Sequence, residues 1–221
     1  EKMIIGKKNI NSNNYDCLVF CVRDIERITI PNFIKHICSS SFDTCLHLEL
    51  IEFANDSKLQ TIDKNAFCLT AIKSIIIPSS ITSIGEGAFN SSKLESIEIP
   101  NDSKLQIIDK NAFIESAINK IILPSSVISI GESAFAECEN FESIEIPIDS
   151  KLQTIEKDAF YGTIIESIII PSELIELKEG WCSSTDKITK IEVSSENPRY
   201  CCFNEKMIIG KKNINSNNYD C

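Results

Sequence analysis

A repeat of about 23 residues constrains this chain more than any other feature of its sequence. Three long units read NDSKLQTIDKNAF from Asn55, NDSKLQIIDKNAF from Asn101 and IDSKLQTIEKDAF from Ile148. Two shorter units alternate with them, PSSITSIGEGAF from Pro78 and PSSVISIGESAF from Pro124. An apolar phrase precedes each unit in steps of 23, 24, 22, 24, 23, 24 and 23 residues, beginning at Ile25, Leu48, Ile72, Leu94, Ile118, Phe141, Ile165 and Ile188. Self-similarity at such a period is typical of a solenoid.

One unit shows what the first half of each repeat contributes. In LESIEIP, from Leu94 to Pro100, Ile97 and Ile99 lie two residues apart and therefore share one face of a strand. Ser96 and Glu98 then point to the opposite face. The proline ends the strand because it cannot donate a hydrogen bond to a sheet.

The second half of each unit turns the chain back. Leu105 and Ile108 are expected to re-enter the core, and the DKNAF phrase turns the chain with Phe113 buried. In the short units we expect Gly85 and Gly131 to ease the bend. A single unit buries too few apolar side chains to offset the entropy of ordering its backbone, so units must stack. The sequence therefore predicts an α/β or mostly β solenoid with one parallel sheet and about eight coils.

The repeat pattern is similar to that of a known family. INKIILPSSVISIGESAFAEC, from Ile118 to Cys138, resembles the BspA-like, or treponeme-type, leucine-rich repeat, and the resemblance covers Ile25 to Val193. It implies a leucine-rich-repeat array whose relatives are often surface or secreted proteins of bacteria and protists, with roles in adhesion or host-protein binding. Trp181 and Cys182 replace the usual Ala-Phe pair, so we expect that coil to repack.

The first seventeen residues, EKMIIGKKNINSNNYDC, return unchanged from Glu205 to Cys221. An asparagine-rich stretch between two apolar runs favours a β-hairpin. The family often inserts such a hairpin after an NPxY-like phrase, here NPRY from Asn197 to Tyr200. We expect residues 1–22 to be the hairpin of a preceding large unit, residues 23–193 the solenoid, and residues 194–221 the start of the next hairpin.

The offset between the two copies, 204 residues, has a consequence for the parent protein. It predicts a longer chain built of near-identical blocks, from which this sequence is a piece. It also predicts that the chain can self-associate through the repeated segment.

Strand side chains that point away from the core are the candidate binding surface. The middle outward position of each strand gives a column in which acid and isoleucine alternate: Thr29, Glu52, Ile76, Glu98, Ile122, Glu145, Ile169 and Glu192. The neighbouring column contains Arg27, Leu50, Ser74, Ser96, Lys120, Ser143, Ser167 and Lys190. Exposed isoleucines beside acids suit a basic, partly apolar protein partner. Alternatively, a two-unit duplication keeps the glutamates apart, because like charges on adjacent strands destabilise a sheet.

Charge and motifs argue against several other classes of function. The net charge of −10 disfavours nucleic-acid binding, which needs a basic surface. No apolar run approaches the roughly 18 residues that span a bilayer, so we expect no membrane insertion in this piece. No Walker loop, HExxH, GxSxG or EF-hand sequence occurs, and evenly spaced glutamates on a flat array form no pocket for glycoside hydrolysis. We therefore expect no enzyme, no cofactor and no metal site.

The ten cysteines divide into groups. Cys45 and Cys138 occupy the repeat-ending position, where a small buried thiol is the usual occupant. Four others cluster in or near the hairpin: Cys17, Cys21, Cys201 and Cys202. We consider a disulfide between Cys17 or Cys21 and Cys201 or Cys202.

Together these patterns favour a non-enzymatic protein-binding scaffold. By the resemblance, it would be a fragment of a surface or secreted adhesin-like protein whose partner is a host or matrix protein. Two alternatives stay open, namely a structural stalk or self-assembling repeat segment, and an intracellular scaffold. Three N-x-Ser sequons are candidate glycosylation sites if the parent is secreted: Asn55, Asn90 and Asn101.

Overall fold

The computed structural model describes residues 3–9, 11, 13–204 and 207–211. Each of the first seven units of about 23 residues forms one coil that contains two short strands, and the eighth contributes one; no helix occurs among the described residues. Strands of successive coils lie side by side in parallel sheets on two sides of the core. The predicted solenoid is therefore confirmed as a mostly β structure of about eight turns.

Sheet 1 is formed by the strand that opens each coil. Two antiparallel strands, β1 (Met3–Gly6) and β2 (Cys17–Cys21), precede the first coil. The strands of sheet 1 are β3 (Arg27–Ile30), β5 (Leu50–Phe53), β7 (Ser74–Ile76), β9 (Ser96–Glu98), β11 (Lys120–Ile122), β13 (Ser143–Glu145), β15 (Ser167–Ile170) and β17 (Lys190–Val193). Pairing is continuous from β7 to β13 and is interrupted between β5 and β7 and between β13 and β15.

Sheet 2 corrects the prediction of a single parallel sheet. Its strands are β4 (His36–Ile37), β6 (Thr61–Ile62), β8 (Ser83–Ile84), β10 (Ile107–Ile108), β12 (Ser129–Ile130), β14 (Thr154–Ile155) and β16 (Glu176–Leu177), and β2 and β1 extend it at one end. Each of these seven strands has two residues, of which one faces the core, as in Ile108 opposite Ile130. A two-residue strand is too short for its alternation to be recognised in a sequence. Leu105 and Ile108 are nevertheless buried as predicted.

Isoleucines and a stack of phenylalanines fill the space between the sheets. Ile97 and Ile99 are buried and Ser96 and Glu98 are exposed, as the LESIEIP phrase predicts. One phenylalanine per coil joins a stack with centroids 5.0–5.6 Å apart and ring planes within 14° of each other: Phe42, Phe67, Phe89, Phe113, Phe135 and Phe160. The first five also donate a backbone N–H to an alanine carbonyl of the next coil, over 2.7–2.9 Å. The same residue thus holds neighbouring coils together through both its ring and its backbone.

The regular stack ends at Trp181. Its ring lies edge-on to Phe160, with planes 86° apart and centroids 6.2 Å apart. The expectation that this coil repacks is therefore confirmed. Trp181 stays half-buried, whereas Phe160 is fully buried.

The turn before each phenylalanine of the stack contains a residue with a positive φ angle. In the two short units this residue is not the glycine expected from the sequence, Gly85 or Gly131. The φ angle is +61° at Gly87 and +53° at Ser133. Gly131 instead permits close approach between coils, because a Cβ atom there would lie 2.5 Å from the backbone nitrogen of Lys110. Gly85 is similar, at 2.9 Å from the carbonyl oxygen of Ile62. The prediction that Gly85 and Gly131 ease the bend is therefore wrong, since they make room for the preceding coil.

Two antiparallel strands follow the last coil, β18 (Tyr200–Phe203) and β19 (Met207–Gly210). The side-chain amide of Asn197 donates to the carbonyl oxygens of Pro171 and Leu174, over 2.7 and 2.8 Å. The Tyr200 hydroxyl accepts the N–H of Leu177 over 3.0 Å. The NPRY phrase therefore attaches β18 to the end of the solenoid. Residues 212–221 of the predicted hairpin, including Cys221, lie outside the described residues.

Candidate functional site

The outward face of sheet 1 presents a regular column of side chains, which we call the Glu–Ile column. All of its members are exposed: Thr29, Glu52, Ile76, Glu98, Ile122, Glu145, Ile169 and Glu192. The exposed fraction is 61% for Ile76 and 47% for both Ile122 and Ile169. These values are high for isoleucine, whereas the inward-facing isoleucines of the same strands are nearly inaccessible to solvent.

Each exposed isoleucine has a glutamate directly opposite it on the next strand. Ile76 lies opposite Glu98, Ile122 opposite Glu145 and Ile169 opposite Glu192. Adjacent strands of a sheet are about 4.8 Å apart. A partner that spans two strands therefore meets one apolar and one negative side chain.

The glutamates differ in their neighbours. Glu192 forms an ion pair with Lys190, and Glu52 accepts a 3.5 Å hydrogen bond from Thr29. Within the described part of the chain, neither Glu98 nor Glu145 forms an ion pair. The middle of the column therefore offers negative charge that no cation of the described residues neutralises.

The neighbouring column adds positive charge at scattered positions. Arg27, Lys120 and Lys190 are all exposed on this face. Lys120 lies opposite Ser96 on one side and Ser143 on the other, so it has no acidic residue directly across from it. This column carries less apolar surface than the Glu–Ile column, since serine occupies four of its positions.

A shallow groove opens onto the column where sheet 1 is interrupted between β5 and β7. Its volume is about 590 Å³, and Leu50, Glu52 and Ile76 are among its lining residues. A second depression of about 400 Å³, with Ile122 and Glu145 in its lining, lies at the carboxyl ends of β11 and β13. Sequence reasoning did not predict either one, because every unit carries nearly the same strand phrase.

The predicted disulfide between the two groups of hairpin cysteines is wrong for a single chain. Cys17 and Cys21 belong to β2, at one end of sheet 2, whereas Cys201 and Cys202 follow β16 at the other end. Seven strand spacings of about 4.8 Å separate β2 from β16. A disulfide needs Cα atoms within about 7 Å of each other. Within the described residues, none of these four cysteines forms a disulfide.

The buried thiols are inert packing groups. Cys45 and Cys138 are fully buried, as the repeat-ending position predicts. Burial raises the pKa of the Cys138 thiol to about 11. Burial, followed by a hydrogen bond with the Cys38 thiol, raises the pKa of Cys17 to about 12. Because the thiolate is the reactive form, these cysteines are poor nucleophiles at neutral pH.

The three sequons lie in turns. Asn55 and Asn101 are exposed, while Asn90 is half-buried and its side-chain oxygen accepts a 2.7 Å hydrogen bond from Ser91. Asn55 and Asn101 thus offer a glycan more room than Asn90 does.

Within residues 3–9, 11, 13–204 and 207–211, no cluster of three or more His, Cys, Asp or Glu residues is arranged to hold a metal ion. The same residues contain no helix of the length and hydrophobicity needed to cross a membrane.

The fold and the exposed sheet define this molecule as a leucine-rich-repeat solenoid. The model of the family described as BspA type leucine rich repeat region matches residues 8–113 and 106–220, with 6 copies. The chain belongs to this family. No curated protein matches the chain.

The chain is also similar to several solved structures. A leucine rich cell surface protein from Faecalibacterium prausnitzii is 20% identical with a TM-score of 0.56, over 85% of this chain and 43% of that one. The pneumococcal vaccine antigen PcpA is 20% identical with a TM-score of 0.46, over 78% of this chain and 52% of that one. The leucine rich repeat protein of T. pallidum is 24% identical with a TM-score of 0.41, over 70% of this chain and 57% of that one. This chain therefore spans about half the length of these proteins.

Proposed function

We propose that this chain is a non-enzymatic scaffold that binds a basic, partly apolar segment of a protein partner along the Glu–Ile column. The observation that carries the proposal is the set of three exposed isoleucines, each opposite a glutamate. Solvated β positions are satisfied by threonine, so isoleucine at these sites exposes apolar surface that a partner can bury.

The charge pattern supports the chemistry of the partner. Glu98 and Glu145 flank Ile122 along the column, and their carboxylates are free to attract lysine or arginine side chains. Apolar burial supplies affinity, whereas complementary charge mainly supplies orientation and a faster association rate. A basic, partly apolar segment would gain from both apolar burial and complementary charge, whereas a purely basic segment would gain from complementary charge alone.

The direct test is a binding titration with a labelled peptide of alternating lysine and leucine, followed by fluorescence anisotropy. We expect saturable binding that weakens at least about ten-fold in the variant Glu98→Lys with Ile122→Asp. The matched control is Glu139→Lys with Ile107→Asp, which makes the same changes at exposed residues away from the column, since Ile107 lies on the outward face of sheet 2.

Two further peptides separate the contributions of charge and apolar surface. A lysine–serine peptide should bind more weakly than the lysine–leucine peptide, and a glutamate–leucine peptide should not bind. Equal loss of binding in the control variant, or equal binding of all three peptides, would refute the proposed site.

We further propose a location at the cell surface, where the partner is a host or matrix protein. Membership of the family supports this location, as does a fold shared with a protein named as a leucine rich cell surface protein. Antibody labelling of intact producing cells tests it. Labelling before permeabilisation is expected, and labelling only after permeabilisation would favour an intracellular scaffold.

A further inference from the structure

The same short strand occurs twice in this structure, in two different settings. β1 and β19 have the identical sequence MIIG, within the copied segment. β1 pairs with β2, and β19 pairs with β18, both in antiparallel orientation. The same four residues thus pair with the strand that follows them in the first copy, and with the strand that precedes them in the second copy.

The two copies also differ in which of their first two residues packs against the core. In β1, Met3 and Ile5 pack against the core, while Ile4 is 59% exposed. In β19, it is Ile208, the equivalent of Ile4, that packs against the core, while Met207, the equivalent of Met3, is 57% exposed. Each copy therefore leaves exposed one residue whose equivalent in the other copy packs against the core.

The end of the solenoid near β18 is incompletely covered. Ile188, Ile191 and Val193 of the last coil are half-buried. Their equivalents one coil earlier, Ile165, Ile168 and Ile170, are at most 1% exposed. Interior coils are shielded on both sides by neighbours, so this difference marks a surface on which a further coil can stack.

We propose that a second copy of this chain docks head to tail on this end. One MIIG strand is shared at the junction, with β18 of one copy on one edge and β2 of the next copy on the other. Cys202 pairs with Ile208, the equivalent of Ile4, and Ile4 pairs with Phe20. At the junction, the shared isoleucine therefore lies between Cys202 of one copy and Phe20 of the next. Both faces of the shared strand are then buried, one against each solenoid.

Either copy of the strand fills the shared position, because their sequences are identical. If β1 is shared, Ile4 becomes buried against the preceding copy. If β19 is shared, Met207 becomes buried against the following copy. A variant that blocks assembly must therefore alter both residues, and both are exposed in the single chain.

The test is light scattering coupled to size exclusion over a range of concentrations. The wild-type chain is expected to rise above its monomer mass as concentration increases. Ile4→Asp with Met207→Asp is expected to stay monomeric, because a buried unpaired carboxylate at the junction is costly. Ile4→Thr with Met207→Thr, which keeps β propensity, should weaken the association while leaving the strands intact.

The matched control is Leu46→Asp with Ile148→Asp, at residues that are 60% and 96% exposed and lie outside the junction. It should assemble as the wild type does. So should Glu98→Lys with Ile122→Asp, since the junction is independent of the Glu–Ile column. A wild-type chain that remains monomeric up to about 1 mM, or a junction variant that assembles normally, would overturn the proposal.

Discussion

Single aromatic residues illustrate how the coils depend on one another. Phe113 lies between Phe89 and Phe135, at centroid distances of 5.3 and 5.1 Å. Phe113→Ala leaves a cavity in the middle of the stack and should lower the free energy of unfolding by about 3–5 kcal/mol. Phe33→Ala, at a residue 49% exposed, should cost about 0.5 kcal/mol or less. Guanidinium denaturation measures both, and equal losses would contradict the role of the stack.

Two neighbouring turn positions should respond in opposite ways to substitution. Gly131→Ala forces a Cβ atom against the backbone of Lys110 and should destabilise the fold by about 1–3 kcal/mol. Ser133→Gly should be nearly neutral, because its φ of +53° suits glycine. Thermal melts compare the two variants. A tolerated alanine at residue 131 would show that the coils can separate there at little cost.

The buried thiol of Cys138 predicts a pH dependence of stability. The pKa of the folded thiol is raised by burial to about 11, above the ordinary value of 9.0. The contribution of this thiol to the free energy of unfolding is therefore fully present below about pH 9 and is lost as pH rises toward 11. In that range the thiol ionises in the unfolded chain but stays protonated in the folded one. Urea denaturation at several pH values should show a steeper fall in stability for the wild type than for Cys138→Ala. Parallel curves would contradict this prediction.

At the scale of the element, each coil contacts mainly its two neighbours. A pair of coils can therefore be deleted without removing the contacts that the remaining coils need to fold. Pro78 and Pro124 occupy equivalent positions, so deletion of residues 78–123 joins two coils in register. The shortened chain should fold, with a smaller denaturant m-value because less surface is exposed on unfolding. Deletion of residues 78–112 breaks the register and should give an unfolded or aggregated chain. Circular dichroism and urea denaturation distinguish the two outcomes.

The elements differ in how well the sequence predicts them. Ile97 and Ile99 alternate with polar residues over a strand long enough to be recognised, so sheet 1 and its outward face follow from the pattern. Thr61–Ile62 and its equivalents contain one inward residue each, and their parallel pairing arises only when coils stack. The groove between β5 and β7 has no sequence signal either, because it results from a local interruption in pairing.

At the scale of the whole molecule, separation along the solenoid decides which residues can meet. Cys17 and Cys201 are close in sequence if the repeated blocks are joined end to end. In the structure, however, Cys17 lies in β2 at one end of sheet 2, and Cys201 lies in β18, which follows β16 at the other end. A pattern of residues cannot reveal this distance, because it depends on the number of coils between them. The sequence is equally unable to show that Met3 packs against the core in β1 whereas its equivalent Met207 is exposed in β19, because the two strands have the same sequence.

The whole outward face can be examined at once by carboxyl footprinting, with and without the lysine–leucine peptide. Labelling of Glu98 and Glu145 should fall at saturating peptide, whereas Glu139 and Glu179, which are exposed away from the column, should label as before. This result would place the partner on the Glu–Ile column. Unchanged labelling of Glu98 and Glu145, or equal protection of all four residues, would contradict a binding function for this face.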